Sequence, residues 1–244
     1  MWDFVIRTSI LLVYYLVSCA LFPMFFKRVV RLDNELVRKG QHIAYAASVL
    51  VLLYVYPVWW EAVLASCTLV VVAWPVLKLS EKRGWYKRAM TDRLENGGEL
   101  RESMVLVQVA FVVMIVVFWG ILGETYKDLI AVSSLTWGFG DAAAALFGKR
   151  FGKTRIRVRG VDGKKTLVGS NAMTTVSFVV LVASLLLFGV GPWWFALVAG
   201  ALIAPGASAL ELFSKQGHDT VVVPVGTATM LAILVFVMTS WGWF

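Results

Sequence analysis

The sequence predicts an all-α, polytopic integral membrane protein with about eight transmembrane helices. Hydrophobic residues make up 59% of its 244 residues, whereas soluble domains average about 45–50%. Mean hydropathy is +0.78. Long apolar stretches with few charges recur along the chain, and most approach the roughly 20 residues that a helix needs to cross a bilayer. These observations favour a membrane-embedded helical protein over a soluble one.

Eight apolar stretches are predicted to cross the membrane, and the second is short. Aromatic pairs such as Trp59-Trp60 and Trp193-Trp194 stand at predicted helix ends, where interfacial Trp residues are common. The predicted spans are 4–26, 42–56, 59–77, 103–122, 129–147, 171–190, 193–213 and 221–244.

Basic residues are concentrated in alternate loops. The loops 27–41, 78–102, 149–170 and 214–220 contain 21 of the 23 Lys and Arg residues, and an eight-span topology places all four loops on one side. Because cytoplasmic loops of membrane proteins are enriched in Lys and Arg, these loops are predicted to be cytoplasmic and both termini external. The net charge of +8 therefore needs no nucleic-acid partner.

Acidic residues within the spans are candidates for function. Asp141 interrupts the predicted fifth span, Glu211 lies near the inner end of the seventh, and Asp219 follows shortly after it. Charge inside a membrane segment is costly and usually marks either a functional site or a buried ion pair. From the residues alone, Asp141 could therefore belong to a functional site, or it could hold helices together by pairing with a Lys or Arg.

The segment after Asp141 combines glycines, lysines and hydroxyl residues in a pattern that suits phosphate oxygens. Backbone N–H groups of such a loop, and those at a helix N-terminus, bind anions. A plain cytoplasmic loop rich in positive charge is the alternative, and no Walker A sequence occurs. The candidate phosphate-binding residues here are Gly148, Gly152, Lys153, Lys165, Thr166, Gly169 and Ser170.

A second polar cluster precedes the second span. If the segment is helical, Glu35, Arg38, Lys39 and His42 share one face, because they are spaced i, i+3, i+4 and i+7. His42 would then lie at the membrane entrance. It could act in catalysis or simply anchor the helix through hydrogen bonds.

Taken together, these motifs resemble the CTP-dependent lipid kinase family, which includes dolichol kinase, phytol kinase and a CTP-using diacylglycerol kinase. That family is similar to phosphatidate cytidylyltransferases. The first matching pattern is E-x-x-R-K-x-x-H, and the second is G-D-x-x-A-x-x-x-G-x-x-x-G. A K-T/S-x-x-G-S pattern and a final D-N-x-x-V-P pattern follow, with Thr220 replacing the usual Asn. The matching residues are Glu35, Arg38, Lys39, His42, Gly140, Asp141, Ala144, Gly148, Gly152, Lys165, Thr166, Gly169, Ser170, Glu211, Asp219, Val223 and Pro224.

The resemblance implies transfer of the γ-phosphoryl group of CTP to the hydroxyl of a membrane lipid alcohol, with Mg²⁺ or another divalent cation. It leaves the lipid open among phytol, polyprenol, dolichol and diacylglycerol, and it leaves the oligomeric state open. It implies catalytic roles for Asp141, Lys165 and His42, and metal binding by Asp141, Glu211 and Asp219. It implies nucleotide or phosphate binding by Arg38, Lys39, Gly148, Gly152, Lys153, Thr166, Gly169 and Ser170.

The predicted organisation is a single membrane domain over 1–244, with a peripheral first helix at 1–26 and a catalytic core at 27–224. Three other functions are compatible with parts of the sequence. A CDP-lipid synthase would release pyrophosphate, but the aspartate-rich ending of that class is absent. A small transporter would need ionisable groups near the midplane. A scaffold that binds anionic lipid through basic loops would leave the carboxylates inside the spans unexplained.

Overall fold

The structure is a computed structural model that describes residues 2–83, 86, 98–215 and 217–243. Throughout these ranges the regular elements are helices, accompanied by one isolated antiparallel bridge between Arg155 and Thr166. The all-α prediction is therefore confirmed for the described residues. Most of the predicted loop 78–102, including 84–85 and 87–97, lies outside them.

The chain divides into two compact units, Met1–Val116 and Val117–Phe244. The first unit begins with a helical stretch in which a π-helical segment, Val17–Leu21, separates α1 from α2. The last helix of this unit, α6, runs on into a second π-helical segment, Ile115–Ile121. The helices are α1 (Trp2–Leu16), α2 (Phe22–Arg28), α3 (Asn34–Ala47), α4 (Val49–Tyr54), α5 (Trp59–Glu81) and α6 (Glu99–Met114).

A chain of buried polar side chains crosses the apolar interior of the first unit. Ser66 of α5 donates to Gln108 Oε1 of α6 at 2.8 Å, and Gln108 Nε2 donates to the Tyr15 hydroxyl of α1. That hydroxyl lies 2.8 Å from Ser48 Oγ, which in turn donates to the carbonyl of Tyr45 at 2.6 Å. Each of the four polar side chains in this hydrogen-bonded chain thus has a partner, as burial favours.

The second unit contains four long helices, α7 (Lys127–Phe151), α8 (Leu167–Leu187), α9 (Trp193–Phe213) and α10 (Asp219–Ser240). Each packs on the next in antiparallel order, and α10 returns to pack on α7. Close contacts at glycines support this order. A Cβ on Gly206 of α9 would lie 2.8 Å from Met230 Sδ, and one on Gly226 of α10 would lie 2.4 Å from Leu210 Cδ1.

Six helices in the described residues are long and apolar enough to cross a membrane. They correspond to the third through eighth predicted spans, which supports an integral membrane protein. They are Trp59–Glu81, Glu99–Ile121, Glu124–Phe151, Leu167–Leu187, Trp193–Phe213 and Asp219–Ser240.

The first two predicted spans are less regular than the other six. The span predicted at 4–26 falls on α1, the π-helical segment and α2, and the span predicted at 42–56 is divided at Ser48 between α3 and α4. The Ser48 hydroxyl bonds back to a carbonyl of the preceding turn, an interaction that commonly bends helices. The total of eight spans, the external termini and the single domain over 1–244 remain predictions.

The topology prediction can be tested within α7, whose 25 residues extend about 37 Å. Lys127 begins this helix, and Arg155 follows its end. In sealed vesicles of a cysteine-free variant, single cysteines at 127 and 155 should label from opposite sides. Cysteines at Lys82 and Lys215 should label together with 155, and one at Phe244, which lies outside the described residues, with 127. Labelling of 127 and 155 from the same side would contradict the topology.

Candidate functional site

The candidate site is built around the junction where α7 ends and α8 begins. Thr166 is the N-cap of α8, and its Oγ1 accepts a hydrogen bond from the Gly169 N–H at 3.2 Å. A Cβ on Gly148 of α7 would lie 3.0 Å from Thr166 Oγ1 and 3.3 Å from Gly169 Cα. The α7 and α8 backbones can approach this closely because neither glycine carries a side chain.

Small residues recur every fourth position at Gly140, Ala144 and Gly148 of α7 and at Gly152, which caps its end. A Cβ on Gly140 would lie 2.6 Å from Ser177 Oγ of α8, and one on Gly169 would lie 2.9 Å from the carbonyl oxygen of Ala144. The spacing thus brings α8 against one face of α7. These contacts give Gly148, Gly152 and Gly169 a packing role, while their phosphate-binding role remains a prediction.

Asp141 is held on this tightly packed part of α7. Its side chain is buried, with 6% of the residue exposed, and the adjacent Gly140 contacts α8. Because α7 continues one turn beyond the predicted span, to Phe151, Asp141 lies ten residues from the helix end. Ten residues correspond to about 15 Å, whereas the predicted span ended at Phe147, six residues or about 9 Å after Asp141. The carboxylate is therefore further inside the helix than predicted.

A hairpin connects α7 to α8 and carries two of the predicted lysines. The Ile156 N–H donates to the Lys165 carbonyl at 3.0 Å, and the Leu167 N–H donates to the Thr154 carbonyl at 3.1 Å. These bonds pair the two arms of the hairpin. Lys153 lies near the start of the first arm and is exposed, whereas Lys165 lies in the second arm and is half-buried.

Lys165 and Glu211, which the sequence analysis assigned to separate roles, form an ion pair. Lys165 Nζ lies 2.9 Å from Glu211 Oε1, and it also donates to the main-chain carbonyls of Glu211 and Ser214. The ammonium group thus binds the last turn of α9, where the helix dipole favours a cation. To bind phosphate through Lys165 or metal through Glu211, the pair must open or accept the ligand as a third member.

The Lys165–Glu211 pair should be measurable as coupling in a double-mutant cycle. Lys165→Gln and Glu211→Gln should each lower the free energy of unfolding, and the double variant should lose about 0.5–3 kcal/mol less than their sum. The measurement is unfolding of purified protein in a denaturing detergent series. The exposed neighbour Lys164 supplies the control, because a cycle of Lys164→Gln with Glu211→Gln should show no coupling. Coupling near zero in the first cycle would contradict the structural role of the pair.

The three carboxylates predicted to bind metal do not form a preformed cluster. Asp219 begins α10 and is half-buried. Among the described residues, no group of three or more His, Cys, Asp and Glu side chains is arranged to hold a metal ion. Magnesium usually binds one or two protein carboxylates and completes its shell with water and substrate phosphate. One or two of the carboxylates of Asp141, Glu211 and Asp219 would be enough to supply the protein ligands of such a Mg²⁺ ion.

Ser170 contributes its backbone to the packing of α8. Its carbonyl accepts a hydrogen bond from Ser208 Oγ of α9 at 3.1 Å and one from Thr174 Oγ1 at 3.0 Å. Sequence reasoning did not identify Ser208. The sequence feature that points to Ser208 is a hydroxyl side chain close to Glu211 in an otherwise apolar span.

The residues predicted on one face of a helix in the first unit lie on α3. Arg38 Nη2 is 2.5 Å from Glu35 Oε1, and Arg38 Nη1 is 3.7 Å from Glu99 Oε1 of α6. Lys39 is buried, and the His42 ring lies 6.3 Å from the Tyr45 ring. The helix is confirmed, while the nucleotide-binding and catalytic roles of Arg38, Lys39 and His42 remain predictions.

A further charged group in the first unit was missed from the sequence. Arg101 Nη1 lies 3.2 Å from Glu81 Oε2, and its guanidinium lies 4.6 Å from the centre of the Trp74 ring. Together with the Arg38–Glu99 contact, this pair joins the start of α6 to α3 and α5. The charges at the start of α6 were visible in the sequence, but their partners are distant along the chain.

Comparisons with known proteins give one informative similarity. The chain is 36% identical over 98 residues to a phytol kinase from Synechocystis sp., covering 40% of this chain and 41% of that protein. The chain therefore matches about two fifths of the length of this curated relative. No protein-family model matches the chain, and no solved structure matches it. The similarity supports the resemblance to lipid kinases.

Proposed function

We propose that the protein is a CTP-dependent lipid kinase, which transfers the γ-phosphoryl group of CTP to the hydroxyl of a membrane lipid alcohol. The products are a lipid monophosphate and CDP, and the active site faces the cytoplasm. The main support is the similarity to a phytol kinase over 98 residues. Six helices long enough to cross a membrane agree with a lipid substrate.

The second unit supplies most of the proposed chemistry. Asp141 acts as metal ligand or base, and Glu211 and Asp219 are further candidates for binding Mg²⁺. Lys153 and Lys165 bind the phosphates of the nucleotide. The close approach of α7 and α8 places the first backbone N–H groups of α8 beside the hairpin that carries both lysines. Gly148, Gly152, Thr166, Gly169 and Ser170 shape this junction.

This assignment agrees with what phosphoryl transfer requires. The reaction depends mainly on positioning and on neutralising charge on the transferred group, and a bound Mg²⁺ supplies part of that charge. Cations are abundant where α7 meets α8, and the buried Asp141 lies inside α7. A lipid alcohol whose chain remains in the bilayer brings its hydroxyl to a membrane-embedded residue without leaving the membrane. Arg38, Lys39 and His42 are assigned nucleotide-binding and catalytic roles by their motif.

The proposed acceptor is an isoprenoid alcohol, with phytol tested first because of the relative's activity. Polyprenol, dolichol and diacylglycerol form the comparison panel. Purified protein in detergent, with Mg²⁺ and CTP labelled at the γ-phosphate, should transfer label to one of these lipids and release CDP. Parallel reactions with ATP test the choice of nucleotide, and reactions with chelator test the need for a divalent cation.

The products separate the competing functions. Release of pyrophosphate together with a CDP-lipid would assign the protein to the synthase class. Equal turnover with ATP would remove the proposed preference for CTP. Uptake of a solute into vesicles without nucleotide turnover would indicate a transporter.

A further inference from the structure

Three arginines of the α7–α8 hairpin have no role in the proposed phosphoryl transfer. Arg155, Arg157 and Arg159 alternate with Ile156 and Val158, and all three are exposed. We refer to these three residues as the arginine row. The general enrichment of cytoplasmic loops in Lys and Arg explains the positive charge of this loop. It does not explain why arginines alternate with apolar residues.

Backbone pairing between the two arms of the hairpin fixes the start of the arginine row. Arg155 pairs with Thr166 in an antiparallel bridge, and the Ile156 N–H bonds to the Lys165 carbonyl at 3.0 Å. Arg155 lies in this extended bridge and Arg157 follows two residues later, the spacing at which side chains of an extended chain project to the same side, about 6.5–7 Å apart. Arg159 stands where the turn begins, next to Gly160, whose φ of +92° favours glycine.

The hairpin lies against the end of α9. Lys165 is tied to Glu211 and Ser214, and a Cβ on Gly160 would lie 3.9 Å from the Phe213 ring. The second arm therefore contacts the last turn of α9, and the turn of the hairpin lies close to the same helix end. Three exposed aromatic rings, Phe147, Phe151 and Phe213, lie at this end of the candidate membrane spans. If α7 and α9 span the membrane, their ends lie near the lipid headgroups, and so does the arginine row.

The charge of the hairpin is almost entirely positive. Between Lys149 and Lys165 the chain has eight Lys and Arg residues and one acid, Asp162. Asp162 Oδ1 accepts the Lys164 N–H at 3.2 Å. Within the ranges that the structure describes, no acidic side chain forms an ion pair with the arginine row. The guanidinium groups of the arginine row are therefore able to bind anions from outside the protein.

We propose that the arginine row binds the phosphate groups of anionic lipids at the surface of the membrane that holds α7, α8 and α9. Guanidinium groups suit this partner because their planar donors form paired hydrogen bonds with phosphate oxygens. Lipid headgroups are the favoured source of phosphate because the hairpin joins the ends of two candidate membrane spans. This inference does not depend on the kinase reaction.

The test compares lipid binding by two variants with the same loss of charge. Full-length protein in neutral detergent is titrated with fluorescent phosphatidylglycerol and, separately, with fluorescent phosphatidylcholine. The variant R155Q/R157Q/R159Q should bind phosphatidylglycerol about 10²-fold more weakly than the natural protein. The control variant R150Q/K164Q/K215Q removes the same charge from three exposed cations outside the row and should weaken binding by much less than the row variant. Binding of phosphatidylcholine should not differ among the three proteins.

Two results would overturn the proposal. Equal loss of phosphatidylglycerol binding in both variants would show that net charge, not the row, attracts the lipid. Loss of CTP or inorganic pyrophosphate binding in R155Q/R157Q/R159Q, with lipid binding retained, would assign the row to the nucleotide instead. Melting curves check folding, and if the triple variant unfolds, R155Q and R157Q are titrated singly and should each weaken phosphatidylglycerol binding several-fold.

Discussion

Asp141→Asn should lower turnover by at least about 10²-fold, the scale observed when one preorganised charge-stabilising group is removed. Asparagine retains the size of the side chain and much of its hydrogen bonding, but not its negative charge. A metal ligand or base depends on that charge. A residue that only packs helices together does not, and a buried carboxylate with 6% exposure should tolerate neutralisation or even gain stability from it.

Asp128 provides a matched control for Asp141, because it lies in the first turn of the same helix, at its opposite end. Asp128→Asn should therefore leave turnover near that of the natural protein. The measurement is turnover with CTP, Mg²⁺ and lipid alcohol, accompanied by a melting curve for each preparation. Near-normal turnover in a folded Asp141→Asn variant would contradict the catalytic assignment and support a structural role.

Gly152→Ala should destabilise the α7–α8 junction by roughly 1–3 kcal/mol or more, as expected for overpacking at a tight contact. A Cβ at this position would lie 2.3 Å from the Gly148 carbonyl oxygen and 2.5 Å from Thr166 Oγ1. The carbonyl belongs to the backbone of α7, and Thr166 caps α8, so neither atom moves without disturbing a helix end. The φ of −75° is accessible to alanine, which leaves steric overlap as the cause.

The same substitution at Gly163 tests whether the effect is local. Gly163 lies in the same hairpin, and a Cβ there would have no neighbour within 4 Å. Gly163→Ala should therefore change the free energy of unfolding by less than about 0.5 kcal/mol. Unfolding in a denaturing detergent series measures both variants. Equal stability of Gly152→Ala and Gly163→Ala would show that the close approach at Gly152 is not required.

The helical class and the six membrane-length helices of the described residues were predictable from the sequence alone. This was possible because apolar length is a local property, and stretches such as 193–213 contain enough consecutive apolar residues to be recognised without their neighbours. The helix carrying Glu35, Arg38, Lys39 and His42 was predictable for a similar reason, since its polar face follows the 3.6-residue period. The similarity to a phytol kinase likewise agrees with the resemblance that the motifs suggested.

Local pattern could not determine where helices are interrupted. The division of the 42–56 segment depends on Ser48, whose hydroxyl contacts Tyr15 of α1 as well as the carbonyl of Tyr45. A single serine hardly changes the hydropathy of an apolar stretch, so hydropathy does not predict a helix break at Ser48. The helix end after Asp141 was likewise placed one turn too early, because Gly148 and the basic residues after it resemble a loop.

Which candidate residues meet depends on the packing of distant helices and could not be predicted from the sequence. Lys165 and Glu211 are 46 residues apart, so their ion pair depends on the hairpin lying against the end of α9. The glycines of the α7–α8 motif suggested a phosphate loop, yet they contact Thr166 and each other because two helices approach at that point. The physical reason is the same in both cases. Residue type and spacing report what a side chain is able to bind, whereas its actual partner depends on which distant helix the packing brings within reach.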